Sequence, residues 1–146
     1  MIVGFTGTRH GTALAQHQAL VEQLWLLNMT KSADVWFHHG DCIGADAEAH
    51  AVALDLGYSV CGHPPLGGHG LRAYSKGFRV LCKHAPPLER NHDIVNACDV
   101  LLAAPRRFKE ELRSGTWATI RYARKLGKPV TIIFPDGSIT KERQPQ

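Results

Sequence analysis

Arg113-Ser114-Gly115-Thr116 is the stretch of this chain best equipped to hold an anion. It follows an apolar run, Val100 to Ala104, and opens an amphipathic run ending at Lys128. A helix that begins there presents N–H groups without intrahelical partners and the positive end of its peptide dipoles. Gly115 lets an anion approach the backbone, and the hydroxyls of Ser114 and Thr116 add donors. Arg9 sits in a second glycine turn, Thr6-Gly7-Thr8-Arg9-His10-Gly11, where a guanidinium can grip a phosphate at two points. A third turn, His39 to Asp46, carries Gly40 and Gly44. Asp46 there either complements a helix dipole or contacts a ribose hydroxyl. Arg90 shares a helical face with Ile94, Ala97 and Cys98, so it points with the buried stripe and needs a partner: Glu89, Asp93 or a ligand anion. Each residue also has a purely structural reading, Ser114 as an N-cap and Arg9 as a solvated turn residue.

His38, His39, Asp41 and Cys42 are metal-ligating types, but successive strand residues face opposite ways and no second cluster is spaced to complete a shell. No metal and no cofactor is therefore expected. Four cysteines, Cys42, Cys61, Cys82 and Cys98, form no Cys-x-x-Cys pair and read as reduced thiols. The net charge of +4 suits a small anionic ligand and permits nucleic acid without favouring it. A nucleic-acid surface would draw on Arg106, Arg107, Lys109, Arg121, Arg124 and Lys125. Hydrophobic content of 44%, no apolar run of membrane-spanning length and no signal-peptide layout point to a soluble, cytoplasmic protein with no membrane partner.

The elements that must position these residues alternate. Ile2 to Phe5 reads as a strand, followed by a helix from about Ala13 whose inward face is Leu14, Val21, Leu24 and Trp25. Asp34 to His38 is a second strand, leading to an alanine-rich helix with Ala45, Ala49, Val52 and Leu56 inward. Tyr58 to Gly62 is a third. The glycine- and proline-rich loop from His63 to Ser75 follows, where Arg72 and Tyr74 either stack on a base or seal the loop, and Phe78 to Leu81 is a short extended piece. A helix from Pro86, an apolar strand from Asp99 to Ala104, the helix at Ser114 with Ile120, Ala123 and Leu126 inward, and a strand from Pro129 to Phe134 complete the pattern. The expectation is one α/β domain over residues 1–146, a doubly wound, Rossmann-like, mostly parallel sheet of about five strands, with a flexible tail from about 138 to 146. The glycine junctions at Gly7, Gly40 and Gly115 then fall on one sheet edge, where such folds bind ligands.

Taken together, Gly4-Phe5-Thr6-Gly7-Thr8-Arg9, His39-Gly40 through Gly44-Ala45-Asp46, Glu89-Arg90-Asn91, and Ser114-Gly115-Thr116 through Gly127-Lys128-Pro129-Val130 give a chain that resembles the SLOG superfamily over nearly its whole length. That Rossmann-like group includes the LOG "lysine decarboxylase-like" proteins, the DprA-type DNA-processing domain and YspA/YpsA-like bacterial or phage domains. The resemblance implies a homodimer and a pocket for a nucleotide or nucleotide-derived ligand, possible use as a sensor, and binding by Gly7, Thr8, Arg9, Gly40, Gly44, Asp46, Arg90, Asn91, Arg113, Ser114, Gly115 and Thr116. It also implies two alternatives: a nucleotide N-glycosidase of LOG type, with Arg90 catalytic, and a DprA-like nucleic-acid-associated module. The LOG motif Pro-Gly-Gly-x-Gly-Thr-x-x-Glu ends on a catalytic carboxylate where this chain has Thr119, and Pro105 is separated from Ser114 by a charged insertion. A hydrolase would need Glu89, Glu110 or Glu111 in its place.

Overall fold

The computed structural model describes residues 1–29, 33–67 and 70–143. Seven strands form one sheet: β1 (Ile2–Gly7), β2 (Trp36–His39), β3 (Ser59–Gly62), β4 (Val80–Leu81), β5 (Val100–Ala104), β6 (Val130–Ile133) and β7 (Ile139–Glu142). Four helices connect them: α1 (Leu14–Met29), α2 (Ala45–Asp55), α3 (Pro87–Ala97) and α4 (Gly115–Leu126). The strand order is β4-β3-β2-β1-β5-β6-β7, parallel except for the β6–β7 pair. The doubly wound α/β fold expected from the alternation is therefore present, with two more strands than expected. One is the extended piece at Val80–Leu81. The other, β7, lies in the segment expected to be a flexible tail, and Glu142 at its end takes both Nε and an Nη of Arg124, at 2.7 and 2.6 Å. Residues 144–146 of that tail lie outside the described residues.

The central strands are apolar because both faces are covered. Phe5, Phe37, Val60 and Leu102 meet α1 and α2 on one face, and Leu101, Ala103, Val130 and Ile132 meet α4 on the other. In α2, Ala45, Ala49 and Ala53 let the helix lie close to the sheet. In α1 the inward face differs from the expected one. Gln16, Ala19, Leu20, Gln23 and Leu24 are buried, whereas Leu14 is 76% exposed and Val21, Trp25 and Met29 are also exposed. The helix carries apolar residues on opposite sides, and buried Gln16 is the residue that orients it, since its Nε2 donates to the carbonyls of Pro105 and Ile133, both at 2.8 Å. In α4, Leu126 likewise proves exposed while Ile120 and Ala123 are buried.

Candidate functional site

The chain leaves β1 toward β2 and leaves β5 toward β6, in opposite directions, so a crevice opens at the carboxyl ends of this central pair. Gly7 pairs with Ala104, and Thr8 N–H donates to the Ala104 carbonyl at 3.0 Å before the two strands' loops part. A cavity of about 400 Å³ fills the crevice. It is lined by Gly7, Thr8 and Arg9 after β1, Gly40 and Asp46 after β2, Arg90 and Asn91 of α3, and Arg113, Ser114, Gly115 and Thr116 at the start of α4. The three glycine junctions thus line one cavity at the expected sheet edge.

Gly44 is the expected site residue that does not line the cavity. Its φ of 84° and its close approach to the Arg9 carbonyl make it the hinge on which the β2–α2 turn passes the β1 loop, a place where a Cβ would collide with backbone. Cys42, Ile94, Arg106 and His10 line the cavity without having been foreseen. From sequence Arg106 belongs to the charged insertion and to the set that a nucleic-acid surface would draw on; its Nη1 lies 3.4 Å from His10 Nε2. No periodicity in a loop could have shown that.

At the wall formed by α4, Ser114 is the N-cap, its Oγ accepting from Trp117 N–H at 3.2 Å. The N–H groups of Gly115 and Thr116 have no acceptor among the described residues. Thr119 Oγ1 donates back to the Gly115 carbonyl at 2.8 Å and does not line the cavity. Of the three glutamates that could replace a carboxylate there, Glu110 pairs with Arg121 and Arg124, and Glu89 is exposed and outside the cavity. Glu111, half-buried, does line it.

Arg90 is buried as its face predicts, but its partners are neither Glu89 nor Asp93. Nη1 donates to the carbonyls of Gly40 at 2.6 Å and His63 at 3.1 Å, Nε donates to Asn91 Oδ1 at 2.8 Å, and Nη2 approaches Cys42 Sγ at 3.6 Å. These contacts use four of the five guanidinium donors and fix the group in place. Asp46 balances the charge while holding its own turn, with Oδ2 accepting from the N–H groups of Gly40 and Cys42 at 3.2 and 3.1 Å. Arg72 and Tyr74 seal their loop: Arg72 Nε donates to buried Asp41 at 3.1 Å and its guanidinium lies 4.4 Å from the Tyr74 ring centre.

Burial pushes the Asp46 carboxyl up to about 6, against the opposing pull of Arg90 and the two amides. The folded chain then holds that proton more tightly than an unfolded one, whose aspartate titrates near 3.8. Stability contributed by this group is present at pH 4, falls as pH rises to about 6 and is flat above, a loss of up to about 3 kcal/mol. Asp46→Asn keeps an oxygen for both amides. In chemical denaturation it should match the parent at pH 4 and exceed it at pH 7. An unchanged difference across that range would clear Asp46 of the effect.

On β2, the alternation separates the two histidines. His39 faces α2, where Asp41 N–H donates to Nδ1 at 3.0 Å, so Nε2 carries the proton to His50 Nδ1 at 2.9 Å and His50 Nε2–H donates to the Lys76 carbonyl at 2.6 Å. Burial, and next the nearby His50, keeps His39 neutral. His38, on the other face, meets His63. Burial lowers both, His63 to about 4.

No protein-family model and no curated protein matches the sequence. Solved structures with the same fold include the molybdenum cofactor binding protein of Rippkaea orientalis, 18% identical with a TM-score of 0.69, covering 91% of this chain and 76% of that one. The molybdenum cofactor carrier protein of Chlamydomonas reinhardtii is 22% identical with a TM-score of 0.65, covering 90% and 74%. DNA processing protein A (DprA) of Streptococcus pneumoniae is 19% identical with a TM-score of 0.61, covering 89% of this chain and 49% of that one. DprA thus has the fold that the alternation of strands and helices predicts here. No helix among the described residues is long and apolar enough to cross a membrane.

Proposed function

We propose that the cavity binds a nucleotide or nucleotide-derived ligand, with its phosphate at the start of α4 between Arg9 and Arg113 and its ribose side toward Arg90 and Asn91. One observation carries this: the free N–H groups of Gly115 and Thr116 open into a cavity of ligand size that is also lined by Arg9 and Arg113. Neither arginine has an acidic partner among the described residues, whereas Arg72, Arg121 and Arg124 do. The same pairing weakens a DprA-like nucleic-acid surface, since two of its six basic residues are neutralised by Glu110 and Glu142. The carrier proteins of like fold, named for a bound small molecule, are in line with a binding role. The Thr119 hydroxyl, committed to the helix backbone, favours retention of the ligand, as a sensor requires, over cleavage.

The test is a thermal-shift panel of nucleoside mono- and diphosphates with inorganic phosphate alongside. At a hundredfold excess over Kd a true ligand adds about 2.7 kcal/mol of stability, and Arg9→Ala or Thr116→Val should remove most of that gain. A panel that shifts nothing would sink the reading. Chromatography of the same samples after long incubation should recover intact nucleotide. Free base, lost with Glu111→Gln, would replace binding by N-glycosidase chemistry, with Glu111 as the carboxylate. The homodimer belongs to the same proposal, its apolar face being the exposed side of α1 at Leu14, Val21, Trp25 and Met29. Light scattering should give twice the 16.1 kDa chain mass, and a monomer would remove that part alone.

A further inference from the structure

Away from the cavity, three adjacent strands turn nitrogen and sulfur ligands to one side of the sheet. His38 on β2 pairs in register with Cys61 on β3, and His63 lies two residues beyond Cys61, hence on the same face. Cys82 follows β4 directly, and its N–H donates to the Gly62 carbonyl at 2.8 Å, which sets it level with the end of β3. His38 Nδ1 is 2.9 Å from His63 Nε2, Cys61 Sγ is 3.7 Å from His63 Nε2, and the three ligand atoms all lie within 4.8 Å of one another. Cys82 Sγ is 3.4 Å from Cys61 Sγ.

Two of these separations, Cys61–His63 and Cys61–Cys82, match a tetrahedral site; the two imidazoles stand closer and must part by a few tenths of an ångström, and Cys82, which is not among the three that converge, must turn toward the histidines. With Zn–N bonds near 2.0–2.1 Å and Zn–S bonds near 2.3 Å, ligand atoms around one ion stand about 3.3–3.8 Å apart. We propose that His38, Cys61, His63 and Cys82 bind a thiophilic divalent ion, zinc by preference, in a site separate from the nucleotide cavity. Two thiolates with two imidazoles in tetrahedral array select zinc over the harder, oxygen-seeking cations. Half-buried His38 and Cys82 give the ion a way in from solvent. On binding, the hydrogen bond between the two rings is replaced. The ring that donated it moves its proton to the other ring nitrogen, and each thiol releases one proton, so uptake of one ion frees two protons.

The ion would fasten β4, only two residues long, to β2 and β3. It would also steady the His63 carbonyl on which Arg90 rests, coupling the outer sheet to the cavity wall.

The test is titration of the reduced chain with cobalt(II), followed by zinc. We expect one equivalent of cobalt with tetrahedral visible bands and a thiolate-to-metal charge-transfer band, both erased by zinc, and protection of two thiols from alkylation. Cys82→Ser should halve the charge-transfer band, and His38→Ala should weaken zinc binding at least tenfold. His84→Ala, an exposed histidine two residues from Cys82, should change neither. Circular dichroism of each variant separates lost ligation from lost fold. Absence of a tetrahedral cobalt spectrum, equal behaviour of Cys82→Ser and His84→Ala, or a Cys61–Cys82 disulfide in place of metal uptake would overturn the proposal.

Discussion

Gly115→Ala is expected to leave the fold intact while removing ligand affinity. Gly115 is the first residue of α4, and a Cβ built there meets no atom within 4 Å. An alanine therefore fits, and by restricting the unfolded chain it should raise stability by about 0.4–1 kcal/mol. The same methyl would stand at the helix start, on the cavity wall where the phosphate must meet the N–H groups of Gly115 and Thr116. Holding the anion off those donors should weaken nucleotide binding tenfold or more, about 1.4 kcal/mol. Calorimetric titration beside a thermal melt reads both effects in one sample pair. Undiminished affinity would place the phosphate elsewhere, and a lowered melting point would mean that the helix start is not packed as described.

Gly40→Ala should do the reverse and damage the fold through the site. A Cβ at Gly40 would run into the Arg90 guanidinium, at 2.6 Å from Cζ and 3.1 Å from Nε. That group cannot swing aside freely, since two carbonyls and Asn91 hold it and it is only 7% exposed. Displacing it combines the cost of overpacking with loss of charge-assisted hydrogen bonds, about 3–5 kcal/mol in all. In a chain of this size that lowers Tm by roughly 10 °C. Adding Arg90→Lys, whose slimmer head relieves the clash, should recover part of the loss. A double-mutant cycle measures the coupling. If Gly40→Ala costs under about 1 kcal/mol, Arg90 is not the fixed strut that its contacts describe.

Both glycines lie in a strand-to-helix connection, Gly40 directly after β2 and Gly115 as the first residue of α4, yet one faces open space and the other a buried arginine. Local sequence does not show what either one faces. Three further readings turned on the same limitation. Arg90 was legible as buried from its helical face, but its partners are carbonyls of Gly40 and His63, 50 and 27 residues away in sequence. The α1 pattern placed Leu14, Val21, Leu24 and Trp25 inward, yet the helix buries only Leu24 of these, because it carries apolar residues on two sides and periodicity cannot choose between two stripes. His38, His63, Cys61 and Cys82 carry no recognisable spacing, because their meeting depends on three strands lying side by side.

What the sequence determined by itself was the alternation of strands and helices, and with it a doubly wound sheet. Parallel strands need crossover helices, and apolar strands ended by glycine turns show where each crossover starts. Since those turns all lie at strand carboxyl ends, the sequence also determined that Gly7, Gly40 and Gly115 would share one edge. Only the tertiary structure decided which residues face one another across that edge, which face of α1 is covered, and that the last segment closes the sheet as β7. Those outcomes depend on contacts between residues far apart in the chain, and local pattern carries no information about them.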